Sequence, residues 1–122
     1  MANILFVDDE PLTRKLLIQA AQILGHNGIT ASTEEEALSI ANKMHPDLIV
    51  TDVNLNGRRS LNMIDQLHRT PETQGIPIVT LSALDPDEIQ AEAAARGAVA
   101  SLEKPIRLQT LLEVIRAYAP AT

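Results

Sequence analysis

Hydrophobic positions along this chain follow two alternating rhythms. The first is a short unbroken run, seen at Ile4-Leu5-Phe6-Val7, within residues 47–52, within 78–82 and within 98–103. The first of these runs, closed by acids and Pro11, predicts a strand buried on both faces. Residues 47–52 predict another short buried strand, and the others predict further strands. A shorter stretch, Ile29 to Ser32, predicts an edge-like strand after the break at His26-Asn27-Gly28. The second rhythm repeats near every 3.6 residues. Leu12, Leu16, Ala20, Ile23 and Leu24 share one helical face behind Pro11, a residue suited to the first helical position. Thr33 caps a helix running to Met44, with Glu36 completing a capping box and acids filling the first turn. Leu61, Ile64 and Leu67 predict a helix over 59–69, reached through the loop Asn54-Leu55-Asn56-Gly57. Asp85-Pro86-Asp87-Glu88 opens an alanine-rich helix that Gly97 ends. Leu108, Leu111, Leu112 and Ile115 mark the last one.

Strands alternating with helices of this length imply parallel strands joined by right-handed crossovers, with helices on both faces. The expected fold class is therefore α/β, a doubly wound (βα)5 arrangement. The 122 residues suit one domain spanning 1–122, with no internal repeat and no low-complexity linker.

Composition narrows the function classes. A formal net charge of −6 argues against a nucleic-acid surface, because phosphate contacts come from clustered Lys and Arg. The only aromatics, Phe6 and Tyr118, leave no stacking platform for single strands. No apolar stretch reaches membrane-spanning length, and the first ten residues lack a basic n-region. Without cysteine there is no disulfide, thiolate metal site or cysteine nucleophile. A cytoplasmic protein without membrane or direct nucleic-acid partners is expected.

The candidate chemistry stands where the strands end. In open parallel sheets, ligands bind beyond the carboxyl ends of the strands. Those ends carry Asp8 and Asp9, then Asp52, then Ser82, then Lys104. Adjacent carboxylates raise one another's pKa unless something positive stands among them. Lys104 and a divalent cation are the expected positive partners, since carboxylate, carbonyl and water oxygens are what Mg²⁺ binds. Individually these residues have plainer readings. An acid pair before Pro11 suits a helix entry, Asp52 suits a turn, and Ser82 or Lys104 suits a surface loop. Together, each closing its own strand, they favour a site.

In this order the pairs Asp8-Asp9, Asp52, Ser82-Ala83 and Lys104-Pro105 resemble the receiver domain of bacterial two-component response regulators, over essentially the whole chain. The resemblance implies a five-stranded parallel sheet of order 2-1-3-4-5. It implies that Asp52 is the phosphoacceptor, taking a phosphoryl group from a histidine kinase or a histidine phosphotransferase. Asp8, Asp9, Asp52 and the main-chain carbonyl of Asn54 would hold Mg²⁺, while Lys104 and Ser82 contact the phosphoryl oxygens. The output would pass to a downstream protein partner, or to an effector domain that these residues do not include. Such a domain modifies itself and is not an enzyme acting on a separate substrate.

Three features depart from the family pattern. Asn56 and Ser60 stand where many receivers have proline and glycine, Ser101 replaces the usual aromatic three residues before the lysine, and Arg58-Arg59 precedes a helix whose dipole disfavours cations. Ser101 leaves room for an alternative, a phosphorylation-independent pseudo-receiver acting as an interaction module. A Mg²⁺-dependent phosphohydrolase ranks lower, since it wants an acid at Asn54. His26, His45 and His68 read as turn or helix-end residues, not as phosphate carriers or metal ligands.

Overall fold

In the computed structural model, residues 1–83 and 86–119 are described, with side chains from 86 to 90 outside that description. The expected opening of the fourth helix at Asp85 lies outside the described residues. Five parallel strands form the sheet: β1 (Asn3–Val7), β2 (Asn27–Ala31), β3 (Leu48–Asp52), β4 (Ile78–Ser82) and β5 (Ala100–Glu103). Their order is β2-β1-β3-β4-β5, as the resemblance implied. Between and after them run α1 (Pro11–Ile23), α2 (Glu34–Met44), α3 (Leu61–Arg69), α4 (Pro86–Ala95) and α5 (Leu108–Tyr118).

Alternation along the central strands divides the core in two. Leu5, Val7, Ile49 and Ile78 pack with Ala37, Ala41, Ile64, Leu67 and Ala93, so α2, α3 and α4 cover one face. Ile4, Phe6, Leu48, Val50, Val79 and Leu81 pack with Leu17, Ala20, Leu111 and Ile115, so α1 and α5 cover the other. β1, β3 and β4 are therefore buried on both sides and read as continuous apolar runs.

Several boundaries differ from the expected ones. β2 begins at Asn27, two residues early, because the Asn27 N–H donates to the Ala2 carbonyl at 2.9 Å and pairing starts at Asn3–Asn27. Gly28 is thus a strand residue, and a Cβ there would run into the Ile18 side chain and the Phe6 ring. β3 starts one residue late, at Leu48, since the Asp47 carboxylate accepts from the Asn3 N–H at 2.8 Å. β5 starts two residues late, at Ala100, because the Ala98 N–H returns to the Ala93 carbonyl to finish α4.

The largest correction concerns residues 54–60. The expected loop is a two-stranded hairpin, Asn54–Leu55 paired antiparallel with Arg58–Arg59. Asn56 (φ 55°) and Gly57 (φ 79°) form its two-residue turn. Positive φ at both positions is what a type I′ hairpin turn needs, and Asn-Gly is the favoured pair. Pairing holds Arg58 and Arg59 out of the helix, so α3 starts at Leu61 and not at residue 59.

Candidate functional site

The carboxyl edge of the sheet gathers its charges at one place. Lys104, just past β5, extends its ammonium to Asp52 Oδ2 at 2.7 Å and to Asp8 Oδ2 at 2.8 Å, with Glu10 Oε1 at 3.6 Å. Three strand ends meet at that nitrogen. Asp8 is fully buried and Asp52 is 5% exposed, so both carboxylates have given up most of their water. Burying a charge in this way is costly unless it is paired and hydrogen-bonded.

The remaining carboxylate oxygens are met by main-chain donors. Asp8 Oδ1 accepts from the Glu10 N–H at 2.9 Å, and Asp52 Oδ1 accepts from the Asn54 N–H at 2.9 Å. Asp9 Oδ2 accepts from the Asn56 N–H, at the hairpin turn, at 3.0 Å. Ser60 fastens the base of the hairpin. Its hydroxyl donates to the Asp52 carbonyl at 2.8 Å and its N–H to the Val53 carbonyl at 2.7 Å. The Arg14 guanidinium donates to the Asp8 carbonyl at 2.8 Å.

These surroundings set the electrostatics. Burial pushes the Asp52 carboxyl above its usual range, more than the bonds from Lys104 and Asn54 pull it down; the nearby Asp8 charge adds to the rise. Burial by itself would lower the Lys104 ammonium, but its bonds to Asp52 and Asp8 outweigh that and raise it. The lysine accordingly stays charged throughout the neutral range.

A cleft of about 220 Å³ opens over this cluster, lined by Asp9, Glu10, Asp52, Asn54, Gly57, Ala83 and Lys104. Asp9 and Asn54 thus border the same opening as Asp52. Ser82 ends β4 buried, directly before the cleft-lining Ala83, and its carbonyl accepts the Lys104 N–H at 2.8 Å. Glu10 is a residue that sequence reasoning left without a role, although it stands next to Asp9. Among the described residues, Asp8, Asp9 and Glu10 each offer an oxygen within 4.8 Å of the others. Opposite oxygens of an octahedral Mg²⁺ are about 4.2 Å apart, so this donor set fits a hard divalent cation. Asp52 falls outside that trio, drawn to the Lys104 ammonium.

Ser101 is placed on the sheet face that α4 covers, paired in register with Thr80. The two hydroxyls are 2.6 Å apart. Where the family pattern has an aromatic ring, this chain has a hydroxyl pair between adjacent strands.

Comparison with known proteins agrees with this geometry. The family described as the response regulator receiver domain matches residues 4–116. Protein PilH of Pseudomonas aeruginosa is 29% identical over 117 residues, covering 96% of this chain and 97% of PilH. The sensor histidine kinase RcsC of Escherichia coli is 31% identical over 119 residues, covering 95% of this chain but 12% of that protein. The chemotaxis response regulator CheY4 of Vibrio cholerae superposes with a TM-score of 0.88 at 30% identity, covering 97% of this chain and 98% of that one. Such a domain is nearly the whole of one relative and a small part of another.

Proposed function

The chain belongs to the response regulator receiver domain family of two-component signalling, and from that premise we propose that Asp52 accepts a phosphoryl group with Mg²⁺ held in the acid cleft. The observation that carries this reading is the Lys104 ammonium bridging Asp8 and Asp52 at 2.8 and 2.7 Å. A buried lysine shared by two acids from different strands is an expensive arrangement if packing is all it serves.

The chemistry follows from the residues in place. An oxygen of the Asp52 carboxylate attacks phosphorus as the bond from phosphorus to the donor breaks. An acyl phosphate forms, and the donor keeps the bonding electron pair. Phosphoryl transfer passes through a loose transition state with charge spread over the equatorial oxygens, so positioning and nearby cations do most of the catalysis. Lys104 supplies one fixed cation. The Asn54 N–H orients the Asp52 carboxylate from the side away from the lysine. Asp8, Asp9 and Glu10, with the Asn54 main chain alongside, would hold Mg²⁺, which when bound offsets negative charge on the transferring group. Ser82, which ends β4 beside the cleft-lining Ala83, would contribute its hydroxyl to the phosphoryl oxygens.

A histidine kinase or histidine phosphotransferase is the proposed protein donor. Acceptance of the group would favour one arrangement of the domain over another and so change partner binding. The regulated event is then self-modification, as befits a regulatory domain.

The test is intact mass after incubation with acetyl phosphate and Mg²⁺. One phosphoryl adduct is expected, absent from Asp52→Asn and absent with chelator. An unmodified wild-type chain, or an adduct that survives in Asp52→Asn, would reject Asp52 as the phosphoacceptor.

A further inference from the structure

The hairpin at 54–59 is seated in the core by Leu55 and tied by its main chain to the acid site. Its Asn54 N–H is bonded to Asp52, its Asn56 N–H to Asp9, and the Asn56 side-chain amide donates to the Ser32 carbonyl at 3.2 Å. At its far end the hairpin reaches another element. Arg59 Nη1 is 3.4 Å from Glu92 Oε2 on α4. Glu92 Oε1 in turn lies 3.6 Å from Arg96 Nη2, and Arg96 Nη1 bonds Asp65 at 2.6 Å and Asn62 at 3.3 Å, both on α3. A continuous polar line therefore runs from the two cleft carboxylates, through the hairpin, onto α4 and back to α3.

The described side chains of α4 make charged contacts on that line and little apolar contact with the core. Among its described residues, Ala93 is the one buried in the core, and alanine contributes little apolar area. Beneath it the strands offer the Thr80 and Ser101 hydroxyls, which lie on the face that Ile78 shares with α2 and α3. With no aromatic at Ser101 to tie α4's seat to the cleft, these charged contacts connect the two among the described residues.

We propose that Arg59 and Glu92 form a strap through which the acid cleft controls the seating of α4. This rests on the phosphoacceptor reading above. A change of charge on Asp52, or a cation drawn to Asp9, alters the hairpin's own anchors. The hairpin shifts, Arg59 parts from Glu92, and α4 loosens from the sheet. Arg58-Arg59, awkward as the start of a helix, is explained in part, since Arg59 is the strap's cationic end.

The experiment is hydrogen exchange of amides 91–96 in the whole chain, with and without acetyl phosphate and Mg²⁺, alongside intact mass. Wild type is compared with Arg59→Ala, Glu92→Ala and the double variant. Exposed ion pairs are weak, so each single variant is expected to speed α4 exchange roughly two- to five-fold without phosphorylation. Glu92→Ala also removes the Arg96 pair, so the double variant should be no faster than Glu92→Ala, which already lacks the Arg59 contact. Phosphorylation should speed α4 exchange in wild type and add little in Arg59→Ala, whose adduct forms as in wild type. Additive single effects, unchanged basal exchange, or an equal phosphorylation response in Arg59→Ala would each overturn the strap. If no adduct forms on the wild type, the phosphoacceptor reading fails by itself. The double-variant comparison then decides alone whether hairpin and α4 are linked.

Discussion

Lys104 answers two buried carboxylates at once, and its removal is the substitution with the clearest consequence. Breaking a buried pair by deleting one partner typically costs about 3–5 kcal/mol, because it strands the opposite charge. Lys104→Ala is expected to lose stability in that range at neutral pH, read as the urea midpoint. The pH dependence has a definite sign. Lys104 has its pKa raised on folding, so its contribution is complete below the ordinary lysine value near 10.4 and fades as pH climbs through the folded value. The gap between wild type and Lys104→Ala should therefore hold from about pH 7 to 10 and close above that. Asp52 shifts stability in the same sense, at lower pH. Its raised pKa means that the folded chain holds the proton more tightly, so its ionisation subtracts stability as pH rises from the carboxylate range. A variant as stable as wild type at pH 7 would show that the lysine does not neutralise these acids. Asp8, Asp9, Asp52 and Lys104 were legible as strand-end residues; Glu10 was not, because its proximity to the lysine depends on how the chain turns into α1.

Among the elements, α2 and the hairpin contrast in how openly they announce themselves. The predicted cap of α2 forms, with the Glu36 N–H donating to Thr33 Oγ1 at 3.1 Å, while Glu36 Oε1 reaches one residue further back and accepts from the Ser32 N–H at 2.9 Å. Both partners are near neighbours, so sequence spacing suffices. The hairpin's signal, Asn56-Gly57, was equally local, but two-residue strands leave no alternation to notice. α4 ends in a contact that spacing hides. Gly97 has φ +112°, and a Cβ there would collide with the His68 ring, whose Nε2 lies 3.2 Å from the Gly97 carbonyl. Gly97→Ala is expected to cost more than about 1 kcal/mol, through both backbone strain and displacement of that ring. A thermal melt matching wild type would show that α4's end adjusts freely.

For the whole molecule, the edge holding Asp8, Asp9, Glu10 and Asp52 against a single lysine carries an excess of negative charge within a chain already at −6. A cation bound only by the folded chain raises its stability with concentration, by about 2.7 kcal/mol at roughly 100 times Kd. Mg²⁺ is therefore expected to raise the melting temperature progressively, beyond a NaCl control of equal ionic strength, and Asp9→Asn to lose most of that gain. Equal shifts with Mg²⁺ and NaCl would reduce the effect to screening. Among the described residues no helix is long and apolar enough to cross a membrane.

What the sequence by itself determined was the alternation of strands and helices, the two-sided burial of the central strands and the residues closing each strand. These follow from periodicity and nearest-neighbour chemistry, which a linear reading contains. Strand order came with the family resemblance and is realised in the fold. Tertiary structure alone decided that Lys104 joins Asp52 to Asp8, 52 and 96 positions away in the chain, and that Arg59 reaches Glu92. It also decided that Ser101 meets Thr80 across a strand pair. Contacts between residues so far apart depend on strand register and helix placement, which no local pattern encodes.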